Sequence, residues 1–183
     1  MKISALSINN LWNETVSLFE QGYYNDALRV LNMDLNWNKN SSFYSIRGCS
    51  KVQLGRYSEA ISDFLKQIEF DPSDPNGYLN ISEAYIMNGN YNDALSYSLS
   101  AFHYSNEDKD KAISLYLRCV SMKLVGSDPI SIETELIQIL TSTDFNLGSW
   151  SFTPFVNWLN KTKILDTDKI YMQILTDKLN EKK

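Results

Sequence analysis

The sequence has very little with which to do chemistry. Its 183 residues include a single histidine, His103, and two cysteines, Cys49 and Cys119. Acid–base and nucleophilic catalysis most often hold a tuned histidine or thiol against a partner group, and one histidine inside a helical pattern leaves that pairing without a second member. No HExxH, CxxC, GxSxG, GxGxxG or phosphate-cradling glycine loop occurs, so no metal, no cofactor and no catalytic residue is expected. The carboxylate pairs Asp71 with Asp74 and Asp166 with Asp168 stand where helices are expected to begin, and capping accounts for them. Two cysteines far apart in helical patterns are expected as reduced, packed thiols.

Positive charge and long apolar runs are scarce as well. Against 22 acidic side chains there are 17 basic ones, giving a net charge of −5 and a pI near 4.9. No Lys/Arg cluster interrupts that balance, which disfavours nucleic acid and anionic membrane surfaces as partners. No stretch approaches the roughly 18 to 20 uninterrupted apolar residues of a spanning helix. The opening residues are broken by Ser4, Ser7 and Asn9, unlike a secretory leader, so the chain is expected in the cytoplasm without membrane insertion. The triplets at Asn13, Asn40, Asn80 and Asn160 then carry no glycan. What the chain does have is 43% hydrophobic and 13% aromatic content, ample for a packed core.

Three stretches repeat: Gln21-Gly22-Tyr23-Tyr24-Asn25-Asp26-Ala27-Leu28, Leu54-Gly55-Arg56-Tyr57-Ser58-Glu59-Ala60-Ile61 and Asn88-Gly89-Asn90-Tyr91-Asn92-Asp93-Ala94-Leu95. Gly22 to Gly55 is 33 residues and Gly55 to Gly89 is 34, the period of a helix-turn-helix pair. Each glycine is expected to end a first helix in the left-handed conformation. The tyrosine two positions later fills the corner. Asn25, Ser58 and Asn92 are good N-cap types ahead of acidic residues suited to a helix start. Ala27, Ala60 and Ala94 keep the second helix thin, and apolar residues such as Ile61, Phe64, Leu65 and Ile68 follow at helical spacing. Pro72 closes the second unit because it cannot extend the helix behind it.

The pattern resembles the tetratricopeptide repeat family over residues 8–106. The middle unit, with Tyr44, Gly48, Gly55, Tyr57, Ala60, Phe64 and Pro72, carries nearly the whole family signature. The third has Tyr78, Ser82, Tyr85, Gly89, Tyr91, Ala94 and Ala101, with Asn106 where a proline is usual. The first is looser: it keeps Leu11, Gly22, Tyr24 and Ala27, with Thr15 at the small position and Asp34 where a small residue is common. Its second helix is expected to end around Leu35, with Trp37 covering an edge.

Residues 108–141 read as a degenerate fourth pair. Asp110 to Leu124 carries Ile113, Tyr116, Leu117 and Val120, Gly126 stops it, and Ser127-Asp128-Pro129 starts a helix with Ile132, Leu136, Ile139 and Leu140. Five aromatics then crowd together: Phe145, Trp150, Phe152, Phe155 and Trp158. Thr153-Pro154 starts a short helix and Asp166 caps a last one, with Leu165 and Ile170 spaced as a hydrophobic staple. The expected architecture is all-α: a solenoid over residues 1–143 and capping helices over 144–183 in the same domain, hiding its apolar end.

The resemblance implies a concave groove lined by the first helices. By register its residues are Trp12, Val16 and Phe19, then Ser45, Cys49 and Val52, then Leu79, Glu83 and Ile86, with Ile113 and Leu117 as a continuation. The family's carboxylate-clamp positions read Trp12, Val16, Ile46, Asn76 and Asn80, without the clamp's cations. The groove therefore suits an apolar or amphipathic segment, with the chain's own helices as the alternative occupant. The function expected from the resemblance is a non-enzymatic adaptor for a protein or peptide. Two alternatives are a cytosolic chaperone similar to those of type III secretion translocators and an acidic neutraliser of a basic target.

Overall fold

A computed structural model of the chain describes residues 5–33, 40–148 and 150–182, with side chains from residue 9 onward. The expectations placed on Asp34, Leu35 and Trp37 lie outside the described residues. Among the described residues all regular structure is helical, in ten helices. The chain divides into two compact units, Met1–Pro72 and Ser73–Lys183.

The first unit holds α1 (Ala5–Glu20), α2 (Tyr24–Leu31), α3 (Ser41–Gln53) and α4 (Tyr57–Phe70). α1 packs on α2, α3 on α4, and α2 on α3. Leu28, Leu31, Phe43 and Tyr44 form a buried cluster, with Leu11, Trp12, Ile46 and Leu54 packed against it. Asn40 caps α3 by accepting from the Ser42 amide at 2.8 Å.

Glycine closes each hairpin. Gly55 sits at φ 74°, its amide donates to the Val52 carbonyl at 2.9 Å, and the Arg56 amide donates to Lys51 at 2.8 Å. These two bonds satisfy the carbonyls a helix end leaves open, and they need a residue that tolerates positive φ. Gly89 repeats the arrangement in the second unit. The tightness of this turn corrects the expected caps. Tyr23, Arg56 and Asn90 occupy the N-cap positions, two residues before Asn25, Ser58 and Asn92, and none makes a side-chain cap bond. Each is already held by the bond that ends the preceding helix, so the chain enters its next helix at once.

The small positions do what their size predicts. A Cβ on Gly48 would collide with the Phe64 ring, so the bare backbone is what lets α3 meet α4. Ala27, Ala60 and Ala94 are all fully buried. Asp63, buried on α4, accepts from Arg47 Nε at 2.9 Å and lies 2.8 Å from Lys51 Nζ, which ties the two helices electrostatically.

The second unit holds α5 (Pro75–Met87), α6 (Tyr91–Tyr104), α7 (Asp108–Leu124), α8 (Ile130–Ser142), α9 (Thr153–Lys161) and α10 (Asp166–Asn180). Asp74 caps α5 through the Asn76 amide at 3.0 Å, so that carboxylate is used structurally. The starts of the later helices shift slightly from expectation. Pro129 is the N-cap of α8 and Asp128 accepts from the Ile130 amide at 3.0 Å; Leu165, not Asp166, is the N-cap of α10. Leu165 and Ile170 remain 70% and 60% exposed, so no buried staple forms between them. Residues 144–183 belong to this unit. Their helices reach back past α8: α9 packs on α5 and α10 on α7.

Gly48→Ala is expected to destabilise the protein by about 1–3 kcal/mol through overpacking against Phe64. Chemical denaturation of the two proteins checks this, with Phe64→Leu in the Gly48→Ala background expected to recover part of the loss.

Candidate functional site

The positions expected to form the inner faces of α1, α3 and α5 share their distance from the closing glycine. In α1 they are Trp12, Val16 and Phe19; in α3, Ser45, Cys49 and Val52; in α5, Leu79, Glu83 and Ile86. α7 runs 17 residues against 13 in α3 and α5, and its glycine, Gly126, comes correspondingly later. Counting back from Gly126 therefore selects Tyr116, Val120 and Lys123, one helical turn beyond the expected Ile113 and Leu117. The spacing of Gly126 from Gly89 was the signal in the sequence.

These matched positions are treated differently in the two units. In the first, Trp12, Val16, Phe19, Ser45 and Cys49 are half-buried and Val52 is 7% exposed. Trp12 leans on the cluster around Leu28 and Leu31, and the Phe19 ring meets Tyr24 edge-on at 5.5 Å. In the second unit Leu79 and Ile86 are fully buried, Glu83 is 7% exposed, and Tyr116 and Val120 are fully buried. Leu79, Glu83 and Ile86, expected to line an open groove, are thus enclosed within their own unit.

On α7 the C-terminal aromatics pack against Tyr116. The Tyr116 ring meets Phe152 at 5.0 Å and Phe155 at 5.7 Å, both edge-on, an arrangement that aligns ring edges with π faces. The Thr176 hydroxyl donates to the Met172 carbonyl at 2.8 Å, so the Tyr116 phenol is the donor in its 2.8 Å bond to Thr176 Oγ1. Two turns along, Lys123 lies 3.6 Å from Asp168 and 5.6 Å from the Tyr171 ring centre. The pairs 116 with 176 and 123 with 168 run α10 antiparallel to α7. Tyr171 donates to Glu133 of α8 at 3.1 Å. At the far end Lys182 donates to the Thr143 carbonyl at 2.9 Å and accepts at its own carbonyl from the Leu147 amide at 3.2 Å.

Burial shifts the ionisable groups here. Desolvation pushes the Glu83 carboxyl up to about 8, and its Oε1 has no hydrogen-bond donor among the described residues. The Cys119 thiol is pushed up to about 12, chiefly by desolvation, which keeps it protonated and unreactive near neutral pH. Among the described residues no group of three His, Cys, Asp or Glu is placed to hold a metal. His103 is exposed, its ring edge-on to Tyr104 at 5.0 Å. Neither cysteine is in a disulfide, and no helix among the described residues is long and apolar enough to cross a membrane.

Residues 41–74, spanning α3, α4 and the start of the next unit, match the tetratricopeptide repeat family. No curated protein matches the sequence. Among solved structures the chain is similar to PcrH in complex with the chaperone binding region of PopD, at 16% identity and a TM-score of 0.58, covering 68% of this chain and 95% of that one. It is similar to the Yersinia enterocolitica type III secretion chaperone SycD in complex with a peptide of the translocator YopD, at 19% identity and a TM-score of 0.58, covering 74% and 98%. SycD on its own gives 22% identity and a TM-score of 0.54, covering 68% and 92%. Each of the three leaves part of this chain unmatched. Residues 41–74 thus match a tetratricopeptide repeat, and the all-helical fold of the described residues is similar to that of these three structures.

Proposed function

We propose that this protein is a non-enzymatic binding module that holds an apolar or amphipathic segment of another protein on the inner faces of its helical hairpins, as a chaperone or adaptor. The observation that carries this reading is the likeness of its fold to nearly the whole length of two small chaperones, both solved with a translocator peptide bound. The half-open positions of the first unit, Val16, Phe19, Ser45 and Cys49 beside Trp12, supply apolar and neutral side chains without a cation to grip a carboxylate. Recognition is then by burial of apolar surface.

Desolvation raises two carboxyls, that of Glu83 to about 8 and that of Asp110, and the position of Glu83 argues against a role in acid–base catalysis. It is enclosed between α5 and the α7 inner face, with no histidine or metal cluster beside it. Its protonated state is a consequence of packing. Localisation in the cytoplasm belongs to the same reading, as the compartment in which such a chaperone meets its client.

Two measurements follow. A labelled synthetic amphipathic peptide with a Leu/Phe face is expected to bind the protein, and Val16→Asp with Cys49→Asp to weaken it at least about tenfold, near 1.4 kcal/mol, at unchanged helical circular dichroism. Absent binding, or binding indifferent to both substitutions, removes the proposal. For Glu83, the folded-state value lies above the ordinary 4.5, so its contribution to stability is full below pH 4.5 and is lost as pH rises toward 8. The stability gap between Glu83→Gln and wild type is expected to widen in favour of the variant by roughly 3 kcal/mol between pH 4.5 and 7, read from denaturation midpoints. Absence of that widening would show that the Glu83 carboxyl is not held above its ordinary range.

A further inference from the structure

The contrast between the two units identifies what the C-terminal segment does. The same glycine-counted positions are half-open on α1 and α3 and closed on α5 and α7, and the helices lying on α5 and α7 are α9 and α10. The segment meets them as a ligand would, with rings inserted at Phe152 and Phe155, one buried phenol bond from Tyr116 to Thr176, and charge at the margin between Lys123 and Asp168. It is joined to α8 by residues 143–152, of which those described form no helix.

Two features set it apart from a finished core. Glu83 Oε1, Trp150 Nε1 and Asn180 Oδ1 are buried without a hydrogen-bond partner among the described residues, and opening the segment would return each to water. The outer side of the segment also leaves Ile170 60% and Ile174 50% exposed, so α10 has apolar side chains on two faces and remains compatible with water and with another surface when moved.

We propose that α9 and α10 form a displaceable strap, an internal competitor that occupies the inner faces of α5 and α7 and leaves when a partner segment takes that surface. The proposal rests on the binding function given above and specifies its regulation: the closed chain binds more weakly than an opened one by the fraction of molecules open.

Native-state hydrogen exchange on the full-length chain reads the strap without a partner. Amides of Thr153–Lys161 and Asp166–Asn180 are expected to exchange through an opening at least about tenfold more populated than the one exposing α5 and α7. Equal protection across α5, α7, α9 and α10 overturns the proposal, because the segment would then be part of one cooperative core. A second arm uses a labelled synthetic peptide of residues 151–162, the α9 sequence, against wild type and Phe155→Ala full-length chains. Weakening the resident helix is expected to tighten binding in trans about tenfold. No gain in a variant shown to be folded overturns the proposal, and should the variant not fold, the exchange arm decides alone. The two readings fail separately. A foreign apolar peptide that binds wild type without speeding α9 and α10 exchange removes the competitor strap and leaves the binding function. A foreign peptide that binds neither chain, while the α9 peptide binds the variant, removes the binding function and leaves the strap.

Discussion

Closing a helical hairpin within three residues is the constraint on which the rest of this molecule depends. A left-handed glycine allows two amides to turn back onto the end of the helix just finished, as at Gly55 and again at Gly89. The residue after that glycine is held at both ends, by the old helix through its amide and by the new one through its carbonyl. The direction of the second helix follows, and with it the face that each residue of the first helix presents. Gly48 and Ser82 are then the residues that meet the partner helix, the one beneath Phe64, the other through a 2.8 Å bond to the Ala94 carbonyl. The opposite positions form the inner face.

An inner face built this way is apolar and must be covered or left half-open at a cost in hydration. The first unit leaves it half-open and secures itself elsewhere, through the cluster around Leu28, Leu31, Phe43 and Tyr44 and through the buried Asp63 clamped by Arg47 and Lys51. Such an acid is tolerable in a core because cations pair with it; removing both would leave a buried charge without a counterion. The second unit covers its inner face with aromatic side chains from its own C-terminal helices. A binding surface and a self-covered surface are thus two uses of one geometry.

The groove residues show how far the sequence could be read. Trp12, Val16, Phe19, Ser45 and Cys49 are half-buried, at positions set by the glycine turn and the helical period. Leu79, Glu83 and Ile86 obey the same spacing, yet are enclosed. Their burial comes from the packing of α5 against α6, α7 and α9, which the spacing within α5 does not announce. The α7 positions were displaced by one turn because sequence similarity had faded there while the glycine marker had not.

Sequence alone determined the all-helical class, the hairpin period, the closing glycines and the small positions, because each is a short-range matter of backbone sterics and helical periodicity. It also showed a chain poor in catalytic and cation-bearing motifs. Tertiary structure decided the fate of the inner faces. Whether Phe152 and Phe155 end on α8, in solvent or against Tyr116 depends on which apolar surface is within reach of the link between α8 and α9. Burial is non-directional, so composition announces that such rings will be covered, and only the folded arrangement says by what.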